Sequence, residues 1–439
     1  MSEQNVDGEI VPSSAPASSE QANDVITIVL TADNHLGYAA PGQSPRKREE
    51  RRQRLRYALQ QATDFAIGQG IDLFIQAGDL FDTIKPDEQD RSFVAARLAQ
   101  LRQAGVKTFA LGGVHDTPPN GGEATPAPQI SYARLGALHL FPSQSTLSSE
   151  PLEPVIIDVH GVQVGISGVG VLAGQEGDPL EQLRVDSEIE RAALTLLVLH
   201  APIEGLVSEA ADTRTLVRRS SIESQSAFRC ILAGYHHGYR HLQIGQTEVV
   251  VAGATQHIDF DDHTDDPGFV FLGLAADGVR WCRHIAVDTL ELHRLVVRTQ
   301  ELWPDGQMSA ETISPEIILE RLRPLSNPNA LVHLRFEGEL TRKQYHQLGL
   351  NQVRRFGEEN CFDLSIDDSA LIFLPEQQAI SAETGERFSP REELVALADE
   401  WIADAEDEQE RKALLITKEE LLAALDGVRY PASRGGSLY

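Results

Sequence analysis

The sequence predicts an α/β protein in which two β-sheets pack face to face as a sandwich flanked by helices. A small α/β module and C-terminal helices follow. Three observations predict this. Short apolar runs alternate with helical patterns from Val25 to about Val287. Each early run ends in a turn-forming Gly or a polar residue. The second half of that stretch is denser in strand-like runs than in helices. Alternating β and α elements give layered folds with parallel strands, and functional side chains gather at the carboxyl ends of those strands.

Taken in order, Val25–Leu30 reads as a strand that runs out at Asp33. A helix is predicted over 46–68, then a strand Ile71–Gln76 ending at Gly78-Asp79. A helix over 87–104 precedes a strand Val106–Leu111 ending at His115. Further strands are predicted at Val155–Val159, Val162–Ile166, Thr195–Leu199, Ile231–Ala233, Glu248–Val251, Phe269–Leu272 and Val279–Ile285. Apolar runs of this length suit strands covered on both faces. From about 290 to 375 a separate module is predicted. It has strands at Leu292–Val297, Ala330–Phe336 and Cys361–Ile366, and helices at Pro315–Leu322 and Arg342–Arg355. Beyond it, Ser389-Pro390-Arg391-Glu392 and Thr417-Lys418-Glu419-Glu420 both fit the capping-box pattern that starts a helix. Two short amphipathic helices are expected there. They either dock on their own domain or bind a partner.

The expected domains are therefore a disordered tail at 1–24, a main domain at 25–288, a small module at 289–376 and a helical segment at 377–439. The tail is rich in Ser, Ala, Glu and Gln. The 439-residue length allows two or three domains. No apolar stretch reaches the length of a membrane-crossing helix, and the start shows no signal-peptide pattern. Cys230, Cys282 and Cys361 stand apart and are odd in number, which points to a reducing cytoplasm. The formal charge of −28 argues against broad, non-specific affinity for nucleic acid. One dense basic run, Pro45 to Arg56, has two open readings. It is a solvated helix start laced with Arg/Glu pairs, or an edge that contacts phosphate.

Chemistry concentrates at the ends of the runs. Asp33 and His35 stand in TADNHLG, Asp79 in IQAGDLFD, and His115 and Asp116 in LGGVHD. His200 closes LLVLHAP, and His237 lies in ILAGYHHG. One such residue is commonplace; a series at successive strand ends suggests convergence on a polynuclear metal site. Carboxylates with imidazoles suit Mn²⁺, Fe or Zn²⁺. Two such ions can activate water and clamp a phosphate ester. A His just outside the metals can protonate the leaving oxygen. His236, His241 and His257 read as structural or surface groups.

The order D-x-H, G-D, G-x-H-D, H and G-x-x-H resembles the calcineurin-like metallophosphoesterases. Within them it is most similar to the SbcD-type DNA repair exonuclease subunits. TADNHLGY and AGDLFDTIKP resemble the first two motifs of that branch. Ala252-Gly253-Ala254-Thr255-Gln256-His257-Ile258-Asp259-Phe260 with Gly268-Phe269 resembles a later one. The likeness covers roughly 25–375. It implies the metallophosphoesterase fold, with the module at 289–376 as a capping domain. It implies that Asp33, His35 and His237 bind the first metal, that Asp79 bridges, and that His200 binds the second. It implies that His115 acts on the transition state with Asp116 as companion, and that His257 is placed to touch substrate phosphate.

The sequence departs from the family at two positions. Val114 stands where an Asn ligand of the second metal is expected, and Tyr235 where a His ligand is expected. The expectation is an intact first site and a weak or empty second one.

The leading functional expectation is a Mn²⁺-dependent DNA exonuclease or endonuclease subunit that hydrolyses phosphodiesters with metal-activated water. Its implied partners are DNA, a second copy of itself and an SbcC-like coiled-coil ATPase docked through the C-terminal helices. The first alternative is a DNA-end-binding scaffold with weakened or lost catalysis. The second is a phosphatase or cyclic-nucleotide phosphodiesterase, which would need neither the capping module nor the C-terminal helices.

Overall fold

The computed structural model describes residues 25–40, 43–118, 127–142, 151–170, 176–181, 183–207, 214–258, 266–303 and 313–374, then 394–395, 398–399, 401–402 and 408–427. The expected tail at 1–24 and the Ser389 capping box lie outside them. Met1–Leu374 is one compact unit and Pro375–Tyr439 a second.

The first unit begins β1 (Ile26–Thr31), α1 (Pro45–Gln69), β2 (Leu73–Ala77), α2 (Glu88–Gln103) and β3 (Lys107–Leu111). It continues α3 (Ile130–Arg134), β4 (His139–Leu140), β5 (Val155–Val159), β6 (Val162–Gly170), β7 (Leu194–His200), α4 (Arg219–Ser224) and β8 (Cys230–Gly234). Then come β9 (Arg240–Ile244), β10 (Thr247–Val251), β11 (Gly268–Ala275), β12 (Gly278–Ala286) and β13 (Glu291–Arg298). It ends with α5 (Glu316–Leu322), β14 (Ala330–Thr341), α6 (Arg342–His346), α7 (Leu350–Asn360) and β15 (Asp363–Leu374).

Two six-stranded sheets form the sandwich, in the orders β12-β11-β1-β2-β3-β4 and β5-β6-β7-β8-β10-β9. Strands β1 to β4 run parallel in the first sheet, and β6, β7, β8 and β10 run parallel in the second. Antiparallel strands close one edge of the first sheet and both edges of the second. Ile28 and Leu30 of β1 point between the sheets, where they meet Leu196, Val198, Leu232 and Val250. Val29 points outward onto α1 and α2, among Leu55, Leu59, Val94 and Leu98. Both faces of β1 are therefore buried, which explains the unbroken apolar run. Each such side chain removed from water contributes about 1.5–3 kcal/mol.

The predicted helices over 46–68 and 87–104 match α1 and α2, each with a side-chain N-cap, Ser44 and Asp87 respectively. The basic run is spent largely on structure. Arg54 pairs with Glu50, Arg56 pairs with Glu49 and the buried Asp90, and Arg51 is buried over the Tyr38 ring. The same helix start also reaches the third sheet. Gln43 donates to Asp363 at 2.6 Å, Arg54 donates to Asn329 at 2.8 Å, and Lys47 Nζ reaches the carbonyls of Glu358 and Cys361.

That third sheet is parallel, in the order β13-β14-β15. One face is covered by α5 and α7, with Phe336, Leu334, Ile318, Leu322 and Val353 in the core. The expected helix Arg342–Arg355 is two helices. Gly349 adopts φ 60° between them, and its left-handed turn ends the first and starts the second.

In the second unit a helix, α8, spans Glu408–Gly427. The expected helix start at Thr417 is corrected: Thr417 lies inside α8, where its hydroxyl donates to the carbonyl of Ala413 one turn back. The backbone is helical at 394–395, 398–399 and 401–402. Among the described residues, no helix is long and apolar enough to cross a membrane.

Candidate metal centre

Every expected ligand lies at or just beyond the carboxyl end of a parallel strand. Asp33 and His35 follow β1, Asp79 follows β2, and His115 and Asp116 follow β3. His200 is the last residue of β7, while Tyr235 and His237 follow β8. The first three loops belong to one sheet and the last two to the other, so the site closes across the open end of the sandwich.

The loops hold their shape through left-handed backbone. Asp33 (φ 47°), His35 (φ 44°), Asp79 (φ 51°) and Tyr235 (φ 79°) all adopt positive φ. Such conformations cost on the order of 1–3 kcal/mol each and persist where the surroundings over-determine them. Here those surroundings are main-chain bonds from Asp33 N to Gly78 O, His35 N to Asp79 O and Leu36 N to Leu80 O. Two glycines make room. A Cβ on Gly78 would lie 2.1 Å from His200 Nδ1, and one on Gly113 would lie 2.2 Å from Asp79 Oδ1.

The donor atoms converge in three overlapping sets: Asp33, His35 and His237; His35, Asp79 and His115; and Asp33, Asp79 and His200. Within each set the atoms lie within 4.8 Å of one another. His35 Nδ1 lies 3.1 Å from Asp82 Oδ1, and in the neutral tautomer that donates there Nε2 carries the lone pair. That Nε2 is buried, has no hydrogen-bond partner and lies 4.0 Å from Asp79 Oδ2. A buried, unsatisfied imidazole nitrogen among carboxylates fits a divalent cation, and the Asp82 contact is the outer support that a metal-binding His ordinarily has. His200 is fully buried, with Nδ1 2.8 Å from the carbonyl of Ala77 and Nε2 3.2 Å from Asp79 Oδ2.

The electrostatics reflect this crowding. Burial pushes Asp33 above the ordinary carboxylate range, and the neighbouring histidines only partly oppose it. Burial also penalises the Asp79 charge, but His200, His35 and His115 outweigh it and hold the carboxyl well below its usual range. Burial alone would lower His200; Asp79 overcomes that and raises it to about 9.

His115 is the exposed member, with 48% of its side chain open, and its ring meets that of His35 edge-on at 4.7 Å. Its Nδ1 lies 3.6 Å from Asp82 Oδ1. Asp116, the expected companion of His115, lies behind the cluster. It is fully buried and accepts hydrogen bonds from Gly113 N at 2.8 Å, Phe81 N at 3.1 Å and the side chain of Gln129. Burial and the nearby Asp79 push its carboxyl up to about 7. It staples two ligand loops together. His237 sits with its ring 5.4 Å from that of His35. His236 is buried and accepts from Ile203 N at 2.9 Å. His257 is also buried, beside Thr255 and Gln256.

Several supporting residues escaped the sequence reading. Asp82 lies within the quoted second motif, yet only its spacing to two histidines reveals its place. Asn34 donates to Thr31 and Thr255, and Gln76 donates to Asn34 and the Gly78 carbonyl, all of them buried. Four polar side chains at less than 4% exposure beneath one loop are a brace for that loop. A buried Gln in the run LFIQA was the available signal.

Residues 26–234 match the family model for the calcineurin-like phosphoesterases. The chain carries a calcineurin-like phosphoesterase domain. The matched span of this phosphoesterase domain holds every ligand loop except the one beyond β8. Among curated proteins, the chain is 25% identical to the DNA double-strand break repair protein Mre11 of Haloferax volcanii, over 71% of this chain and 62% of that protein. It is 23% identical to the protein of the same name from Halobacterium salinarum, over 71% and 70%. The chain thus spans less than two thirds of the Haloferax protein. A solved dimetal phosphatase from Danio rerio aligns at 14% identity with a TM-score of 0.35, over 60% of this chain and 97% of its own. A phosphoesterase domain of this class uses divalent metal ions, and the carboxylates and imidazoles at its strand ends provide groups to hold them.

Proposed function

We propose that this chain is a metal-dependent DNA nuclease subunit of the repair type, acting on phosphodiester bonds at DNA ends with Mn²⁺ as its ion. The observation that carries this reading is the buried, unpartnered His35 Nε2 facing Asp79 inside a phosphoesterase domain whose curated relatives are named for double-strand break repair.

Asp33, His35, Asp79 and His237 would hold the ion, with His200 on the far side of Asp79. A divalent ion bound there supplies positive charge toward a phosphate ester and toward attacking water. The chain's own groups do the rest. Asp82 faces Nδ1 of both His35 and His115, fixing one ring as ligand and the other as an exposed donor. His115 projects from the cluster, where it can hold a proton for the departing oxygen. Asp116 keeps the His115 loop against the Asp79 loop.

The surface charge supports a partner-assisted subunit better than a free DNA binder, because −28 opposes a polyanion except at the metal cluster. By resemblance, residues 289–376 act as a capping domain, the phosphoesterase domain forms a homodimer, and an SbcC-like ATPase docks on the segment 377–439. Trp401, Leu415, Ile416 and Leu421 are exposed on that segment, which supports such docking. The three free, buried cysteines support a reducing, cytoplasmic setting.

The test is Mn²⁺-dependent degradation of linear duplex DNA by the purified chain, with Asp79→Asn alongside. Activity in the wild type and none in the variant is expected. Equal background in both, with DNA still bound, would sink the nuclease reading and leave a scaffold that binds DNA ends.

A further inference from the structure

We propose that this chain holds a single divalent cation, and that its own residues close the neighbouring position to a second one. The inference rests on the metal-centre reading above, and it concerns the number of ions, not the reaction.

Two of the three donor sets mark separate foci, and the third, His35, Asp79 and His115, bridges them by sharing His35 with one and Asp79 with the other. Asp33, His35 and His237 define the first. There His35 Nε2 is buried and unsatisfied, and its other nitrogen is committed to Asp82. A cation at this focus meets an imidazole nitrogen that no hydrogen bond occupies.

Asp33, Asp79 and His200 define the second. Here the donors are already hydrogen-bonded, two of them to each other. His200 Nδ1 faces the Ala77 carbonyl, and Nε2 faces Asp79 Oδ2 at 3.2 Å. Asp79 Oδ1 accepts the main-chain N–H of His115 at 2.8 Å. Both oxygens of Asp33 take the N–H of Tyr235, at 3.2 and 3.0 Å, and Asp33 is shared with the first focus. The second focus owns only Asp79 and His200.

What surrounds that pair offers little more. The Tyr235 ring stands edge-on to His200 at 5.6 Å. Val114 packs against the apolar cluster that includes Leu199 and Ala233. His236 Nε2 accepts the main-chain N–H of Ile203 at 2.9 Å. Divalent ions of this class take four to six ligands, and two donors beside an aliphatic wall and an aromatic ring fall short.

Two side-chain changes would supply what is missing. Val114→Asn adds an amide oxygen, and Tyr235→His adds an imidazole nitrogen. The full-length chain is equilibrated with Mn²⁺ alone and dialysed, and the bound ion is counted by elemental analysis. The paramagnetic resonance spectrum then reports whether the ions are isolated or exchange-coupled. The wild type is expected to hold one ion per chain with the spectrum of an isolated ion. The double variant is expected to hold two, with exchange coupling, and Asp33→Asn to hold none.

Two ions or a coupled spectrum in the wild type would overturn the inference while leaving the nuclease reading intact. So would a folded double variant that still holds one ion, since Val114 and Tyr235 would then not be what closes the site. An ion retained by Asp33→Asn would place the binding elsewhere and overturn it too. A wild type that holds none would overturn both readings. Should the double variant not fold, the wild-type count and spectrum decide alone.

Discussion

His200 Nε2 lies 3.2 Å from Asp79 Oδ2, so the last residue of a strand in one sheet is joined to a loop of the other. Both side chains are buried and charged when no metal is bound. Asp79 holds His200 protonated up to about pH 9, whereas an unfolded His titrates near about 6.5. Between those values the folded chain binds more protons than the unfolded one, so this stabilisation is lost as pH rises through about 9. Asp79 is held low, so its share is present above about pH 4 and lost in stronger acid. In the metal-stripped chain, the stability advantage of the wild type over His200→Gln should shrink between about pH 6.5 and 9, on the order of 1–3 kcal/mol. Thermal melts of both chains at a series of pH values measure it; a constant difference would refute the pairing.

Gly113 and Gly78 are the tightest points of the centre. An Ala at 113 would drive its methyl onto Asp79 Oδ1 at 2.2 Å and onto the Asp79 main-chain nitrogen at 2.4 Å. The second of these is backbone and cannot swing aside. Overpacking of this kind costs about 1–3 kcal/mol. At Gly78 the φ of +97° adds backbone strain to the clash with His200. Both Ala variants should melt lower than the wild type and bind Mn²⁺ more weakly. Gly105, whose Cβ would meet nothing within 4 Å, is a control for the φ effect alone. Unchanged Mn²⁺ affinity in Gly113→Ala would mean that the loops are not packed as described.

The sandwich was legible because buried parallel strands leave unbroken apolar runs, and the candidate site was legible because each of its residues follows such a run. The rest depends on contacts between residues far apart in sequence. Asn34 and Thr255 are bonded across 221 positions, and neither looks unusual in its own segment. Strands β4 and β9 were missed because His139-Leu140 is too short, and Arg240–Ile244 too polar, to give a pattern. The Thr417 capping box misled because the same residues suit a helix interior when the hydroxyl bonds back one turn. Asp116 stands next to His115 in sequence, and only the three groups that donate to it reveal that it also fastens two loops.

Asp82 should behave as a positioning residue. Its Oδ1 faces His35 Nδ1 at 3.1 Å and His115 Nδ1 at 3.6 Å. Asp82→Asn keeps the shape and removes the charge that orients both rings. Loss of an outer contact to a metal-binding His typically weakens metal affinity 10–100-fold. The variant should therefore bind Mn²⁺ about 10–100-fold more weakly in calorimetry, and saturating Mn²⁺ should restore only part of the DNA degradation. Full recovery at high Mn²⁺ would confine Asp82 to the ligand ring and exclude a part in orienting His115.

Thr255 and Gln256 are adjacent and both fully buried, yet they serve different parts of the molecule. Thr255 accepts from Asn34 and so braces the loop of Asp33 and His35. Gln256 donates to the Asp288 carbonyl at 2.6 Å and accepts from Thr289 at 3.1 Å, fastening the segment that leads into the third sheet. Truncating either leaves buried partners unsatisfied, at about 1–3 kcal/mol. The consequences should separate. Thr255→Ala should weaken Mn²⁺ binding and leave the chain after β12 as resistant to protease as before. Gln256→Ala should keep its Mn²⁺ affinity but become cleavable between β12 and β13, because the main-chain carbonyl of Asp288 loses its donor. Calorimetry and limited proteolysis on the same two preparations decide it, and identical profiles for both variants would mean that the two side chains brace one common loop.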